Sequence, residues 1–266
     1  MQDKDKLKEE VREFWNAQAC GTQNIDKEKF TLEYFEQIEK ERYELQPEIF
    51  SFAQFTRFHG KKLLEVGVGA GTDFLQWVRA GADCYGIDLT DEAIAHIQHR
   101  LQLYDLKAHV KVGDAENLPF ESNTFDIVYS WGVIHHSPNT IKALEEIIRV
   151  LKPGGTAKIM VYHRHSLLTL FFWVKHALLK GRPWKSFAWV LWHKMESLGT
   201  KAYTVKEMQE ILNKYNLKDV KVQPSFSYYD RLGRFNKFMQ KTAMILANII
   251  GREKVGWFLT IEFNKK

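Results

Sequence analysis

The chain has 266 residues, two cysteines and a formal net charge of +5: long enough to bury one substantial core and too poor in cysteine for a disulfide framework. Cys20 and Cys84 lie far apart with neither C-x-x-C spacing nor a flanking His-x-His, so no zinc site is suggested and a reducing cytosol fits. Residues 163–266 hold 19 Lys+Arg against 7 Asp+Glu. That leaves the earlier part acidic, and the basic part either keeps the protein soluble or draws an anionic substrate or membrane surface.

The first ten residues are charged and carry no apolar run, which argues against a secretory signal. The longest apolar tract, 167–179, is broken by Lys175 and His176 and is too short to span a bilayer. A cytoplasmic protein is expected, with peripheral membrane contact as the alternative, and oligomeric state is not readable.

Residues 1–60 read as a helical cap: Leu7, Val11, Phe14 and Trp15 fall at helical spacing, and Pro47 can open a helix ending near Phe58. From Lys61 short apolar runs alternate with amphipathic segments, the signature of βαβ units on a parallel sheet. Strands are expected at 62–66, 84–87, 108–112, 125–130 and 156–161, with helices near 72–80, 91–104 and 139–151. Ser137 and Pro138 suit the start of the last helix, and Pro153-Gly154-Gly155 its end.

After Val161 the alternation lapses until Thr204 and Glu207 offer a capping box. A strand at 218–223, a helical segment over 232–250 and a last strand at 255–263 follow. Residues 163–203 and 226–254 therefore read as helical insertions in a domain spanning 61–266, and insertions on such a scaffold commonly carry substrate choice.

The stretch Glu65-Val66-Gly67-Val68-Gly69-Ala70-Gly71-Thr72 ends a strand and opens a helix. Glycines there permit a tight turn and let a cofactor lie on backbone, while amides at the helix start can meet a carboxylate. A dinucleotide site wants G-x-G-x-x-G, but Thr72 stands where the third glycine should be. An acid at Glu65 is poorly placed for a pyrophosphate and well placed for the cationic amino acid end of adenosylmethionine.

Asp88, at the end of Tyr85-Gly86-Ile87-Asp88-Leu89, can accept both ribose hydroxyls or cap the helix that starts at Thr90. Asp114, in Gly113-Asp114-Ala115-Glu116, could take the adenine amino group. A fourth strand then runs through Trp131 to His135 and His136.

Residues 61–162 resemble the class I S-adenosylmethionine-dependent methyltransferases, in particular the ubiquinone/menaquinone C-methyltransferase-like group, on four stretches in order: Glu65 to Gly69, Gly86 to Asp88, Gly113 to Ala115 and Leu151 to Gly155. The resemblance implies an α/β, Rossmann-like, seven-stranded, mostly parallel sheet with its last strand antiparallel and helices on both faces. It implies S-adenosyl-L-methionine as cofactor, with Glu65, Gly67 and Gly69 near the methionine part, Asp88 at the ribose, and Asp114 with Ala115 at the adenine. Gly71, Leu89 and Trp131 complete the expected cofactor contacts. The segment 15–22, with Tyr34, Phe35, Arg42 and Tyr43, would fold over the cofactor or simply pack.

Transfer from a sulfonium mainly needs alignment, and an acceptor that must lose a proton also needs a base, for which histidine is the usual choice. His135, His136 and His163 are the candidates, each with a purely structural alternative. No Asn/Asp-Pro-Pro-aromatic run follows the fourth strand, which disfavours a nucleobase, and neither paired glutamates nor magnesium-holding acids occur there. A small-molecule acceptor is expected, without nucleic acid or metal, methylated at oxygen or carbon. The aromatic and basic insertion at 167–192 suits a lid, a groove for a lipid-linked or sugar-containing acceptor, or an interfacial helix. A nicotinamide-dependent oxidoreductase and a catalytically idle relative are the rival readings.

Overall fold

The computed structural model describes residues 4–23, 25–233 and 235–266. Its cap consists of α1 (Lys4–Ala17), α2 (Leu32–Leu45), α3 (Glu48–Ala53) and a short 3-10 turn at Phe55–Phe58. The alternating stretch folds as β1 (Lys62–Val66), α4 (Thr72–Arg79), β2 (Asp83–Asp88), α5 (Asp91–Leu103), β3 (His109–Val112), β4 (Phe125–Trp131), α6 (Thr140–Val150) and β5 (Leu151–Tyr162). Then come α7 (Leu167–His176), α8 (Phe187–Lys194), α9 (Val205–Leu212), β6 (Leu217–Ser225), α10 (Lys237–Ile250), α11 (Arg252–Val255) and β7 (Phe258–Lys265).

The strands form one seven-stranded sheet in the order β3-β2-β1-β4-β5-β7-β6, with β7 antiparallel to both neighbours. The order reverses between β1 and β4, so the carboxyl ends of these two strands flank the crevice where open α/β sheets receive ligands. Central strands are apolar on both faces because helices cover both: Leu63, Ile127 and Tyr129 meet Trp77 and Ile97 on one side, while Leu64, Val128 and Ile159 meet Leu144, Ile147 and Met208 on the other.

Local capping follows the sequence in part. Thr204 and Glu207 form the expected capping box. The helix α6 differs: Asn139, not Ser137, caps it by accepting from the Lys142 amide, because the Ser137 hydroxyl is drawn to the Glu116 carboxylate, which also takes the Asn139 amide at 2.7 Å. Pro153-Gly154-Gly155 does not end that helix either. It lies in the first residues of β5, where a Cβ on Gly155 would sit 3.1 Å from the Phe125 and 3.2 Å from the Asp126 carbonyl oxygens of β4, so glycine lets the two strands approach this closely. The expected helix at 232–250 begins only at Lys237, after a left-handed Leu232.

The cap is tied to the domain by buried polar contacts. The Tyr34 hydroxyl meets His96 Nε2 at 2.9 Å, and the Arg100 guanidinium donates to the Phe35 carbonyl at 2.8 Å. Tyr34 and Phe35 thus pack on α5, which is the packing alternative for these two.

Candidate active site

The turn after β1 is held by the Gly67 and Val68 amides, which both donate to the Ile87 carbonyl. Its glycines do different work. A Cβ on Gly67 would lie 2.2 Å from Val133 and one on Gly71 2.5 Å from Ile97, so these two serve close packing. Gly69, at φ +51°, would meet only Cys20, at 3.8 Å. Its open side is the space a ligand lying on backbone requires.

Asp88 closes this cradle. Its Oδ2 accepts from the Gly69 amide at 3.0 Å and its Oδ1 from the Thr90 amide and hydroxyl at 3.1 and 2.9 Å, while Thr90 caps α5. Burial raises its carboxyl above the ordinary value in spite of those bonds. Leu89 and Ala115 lie half-buried beside the ends of β2 and β3.

Glu65 is 3% exposed, and its Oε2 has no hydrogen-bond partner among the described residues. Burial first, then the nearby Asp73, pushes its carboxyl well above the usual range. Asp73 is satisfied by the cap: Arg42 forks onto it at 2.8 and 2.5 Å, and the hydroxyls of Tyr43 and Tyr129 donate at 3.1 and 3.0 Å. Cap closure also reaches Asp114, whose Oδ2 accepts from Lys8 at 2.7 Å and whose Oδ1 accepts from the Glu116 amide.

Cys20 is accessible and has its Cβ beside Gly69, with Arg42, Glu196, Asp88 and Asp73 as charged neighbours, and the surrounding protein pushes its thiol up to about 11 by desolvation. It therefore lines the cleft over Gly69. Trp131 donates Nε1–H to Gln46 at 2.8 Å and packs on Phe52 and Phe258, so it braces the end of the cap against the sheet.

The histidines separate by environment. His135 is fully buried against Tyr162, with ring centroids 3.9 Å apart; burial, then His136 and Lys201, hold it well below its ordinary value, so it is neutral. His163 has Nδ1 2.9 Å from the Gly256 carbonyl oxygen and its amide donating to the Trp257 carbonyl, which ties the end of β5 to the residues just before β7.

His136 is different. Its Nδ1 lies 3.0 Å from the Ser197 hydroxyl and 3.1 Å from that of Thr200, and its Nε2 lies 3.3 Å from a Glu196 carboxylate oxygen. The same oxygen accepts from the Tyr162 hydroxyl at 2.8 Å, and Trp15 stands edge-on to the imidazole. The Thr200 hydroxyl proton is directed at the Ser197 and Met195 carbonyls, so towards Nδ1 that oxygen only accepts, whereas the Ser197 hydroxyl can donate to Nδ1 or accept from it; Nε2 faces the carboxylate.

Glu196 escaped the sequence reading. Its backbone is left-handed, at φ +43°, unusual for a residue with a Cβ. Burial works against ionisation, yet the neighbouring His136 and the Tyr162 hydroxyl hold its carboxyl below the ordinary value. One signal was available: it is the sole acid between His163 and Lys206, in an otherwise basic insertion. The broad groove of about 770 Å³ between β3 and α5, lined by Gln98, Gln102 and Lys107, holds none of these groups.

Residues 64–159 match the methyltransferase domain family model. The chain is 42% identical over 98 residues to the phthiotriol/phenolphthiotriol dimycocerosates methyltransferase of Mycobacterium leprae, which is 36% of each protein. It is 36% identical over 105 residues to phosphoethanolamine N-methyltransferase 2 of Caenorhabditis elegans, 39% of this chain and 24% of that protein. The match spans about a third of the length of the curated mycobacterial relatives.

Among solved structures, a chain of the complex between the Haloferax volcanii Trm112 methyltransferase activator and a methyltransferase superposes with a TM-score of 0.62 at 18% identity, covering 96% of each chain. Haemonchus contortus phosphoethanolamine N-methyltransferase 2 superposes at 0.60 and 18% identity, covering 96% of this chain and 60% of that one. These likenesses establish the fold.

Proposed function

We propose that the chain is a class I S-adenosylmethionine-dependent methyltransferase, a reading supported by the match of residues 64–159 to the methyltransferase domain model, and that it methylates a small-molecule acceptor, lipid-linked or sugar-containing, at oxygen or carbon. The observation that carries this is the cradle at the strand-order switch, where open space over Gly69 meets the buried, unpartnered Oε2 of Glu65 and the carboxylate of Asp88. These residues fit the cofactor of that family. Asp88 suits the ribose hydroxyls, and Glu65 suits a cationic amino group, whose arrival would favour the ionised carboxyl.

When bound, S-adenosylmethionine supplies an electrophilic methyl carbon on a sulfonium. The chain's own residues then align the acceptor and exclude water. Arg42, Lys8 and Cys20 bring the cap over the cradle, and Trp15 and Tyr162 wall the side where His136 stands. A proton leaving the acceptor passes to the Glu196 carboxylate, which the imidazole of His136 faces through Nε2 at 3.3 Å and the Tyr162 hydroxyl holds in place. His135, buried and neutral, supports the loop.

Support for a lipid-linked acceptor comes from the basic, aromatic insertions and from the mycobacterial relative, named for phthiotriol dimycocerosates. The protein is expected to act in the cytoplasm or peripherally at a membrane; no helix among the described residues is long and apolar enough to cross one. Incubation with methyl-labelled S-adenosylmethionine and polar and lipid cell fractions tests the proposal: a labelled product is expected, and persistent absence of label would overturn it. With that product in hand, Glu196→Gln should lower kcat by about 10²-fold or more while cofactor affinity holds.

A further inference from the structure

The helix α10, in the second insertion, turns its apolar side outward. Its buried residues are Ala243 and Ala247, two small side chains one turn apart that let it lie close on the domain. At about 100° per residue, Phe238, Ile245 and Ile249 share the opposite side, and they are 78%, 51% and 76% exposed. A helix of a soluble domain buries such a stripe, and an uncovered one marks a surface that meets something else.

Charge says what covers it. Lys237 and Lys241 flank the stripe, Arg252 follows at the helix end, and no acidic residue occurs from Arg231 through Arg252. Pairing with a second copy about a two-fold axis would set these cations against their own equivalents, whereas an anionic surface neutralises them. The first insertion, joined to this one by Phe171 and Phe235 with ring centroids 4.3 Å apart, repeats the combination: Leu179 and Trp184 are each 74% exposed in a stretch that includes Lys180 and Arg182.

The geometry points to α10 as a docking helix for an anionic lipid bilayer, its apolar stripe lying among the headgroups and its cations on the lipid phosphates. This deepens the lipid-linked reading of the acceptor, on which it rests for its purpose: docking holds the cleft at the surface where such an acceptor resides. Its placement is independent of the chemistry, since none of these side chains belongs to the site around Gly69.

Sedimentation of the full chain with vesicles tests it, using phosphatidylcholine alone and phosphatidylcholine with phosphatidylserine. Binding to the anionic vesicles that weakens with salt is expected. Phe238→Asp with Ile249→Asp should reduce it about tenfold or more, and Lys237→Glu with Lys241→Glu about fivefold per cation on anionic vesicles alone. The substituted side chains are exposed, so melting temperatures should not move. A wild-type chain that stays in the supernatant with both vesicles overturns the proposal, as does a concentration-dependent dimer that the aspartate variant dissociates. Vesicle binding with no labelled product from any fraction would count against the acceptor reading and leave docking supported. A labelled product without vesicle binding would do the reverse.

Discussion

Replacing Arg42 with Met tests whether the cap is held by one buried charge pair. Asp73 is 2% exposed and Arg42 20%, with guanidinium to carboxylate distances of 2.8 and 2.5 Å, so the carboxylate has little water to fall back on. Breaking a fully buried pair by removing one partner costs about 3 to 5 kcal/mol. Here Tyr43 and Tyr129 continue to donate to Asp73, which reduces the expected loss to about 2 to 4 kcal/mol. For a chain of this size that is a fall in Tm of roughly 5 to 15 °C.

Urea unfolding of Arg42→Met, Asp73→Asn and the double variant completes the cycle. Because most of the cost is an uncompensated carboxylate, Asp73→Asn should recover much of the loss, with a coupling of about 2 kcal/mol. A cost below about 1 kcal/mol for Arg42→Met, or an equal cost in the Asp73→Asn background, would refute the reasoning.

Three other outcomes follow from the same geometry. Asp88→Ala should weaken binding of adenosylhomocysteine by roughly 1 to 3 kcal/mol in calorimetry, and unchanged affinity would remove Asp88 from the cofactor site. Burial raises the carboxyls of Glu48 to about 7 and Asp230 to about 6, the reverse of the common carboxylate case. The folded state then holds protons that the unfolded state releases, so the stability they contribute is present below about pH 4 and lost as pH rises through 6 and 7. Glu48→Gln should remove about 1 to 2 kcal/mol of the stability change across this window, allowing for partial exposure, and an unaltered pH profile would assign it elsewhere. Cys20, its thiol at about 11, should react slowly with alkylating agents near neutral pH, and more slowly with adenosylhomocysteine present; no protection would mean it does not line the cofactor cleft.

The alternation of short apolar runs with amphipathic segments decided the sheet and both helical layers, because a strand covered on two faces must be apolar throughout. The motif from Glu65 to Thr72, followed by Asp88, marked the candidate cofactor turn for an equally local reason: a strand, a tight turn and a helix start must be consecutive in sequence. Punctuation misled where a distant residue competed for it. Ser137 lost its cap role to the carboxylate of Glu116, and Pro153-Gly154-Gly155 became the start of a strand because Gly155 can approach the β4 backbone. Only the tertiary structure could bring Lys8, Cys20 and Arg42 from the cap, and Glu196 from an insertion, to the cradle and its rim, since these contacts span up to 106 residues and leave no periodicity behind. The outward stripe of α10 was hidden for the same reason: its spacing in sequence is that of a buried helix, and which side meets the domain is decided by what lies beneath it.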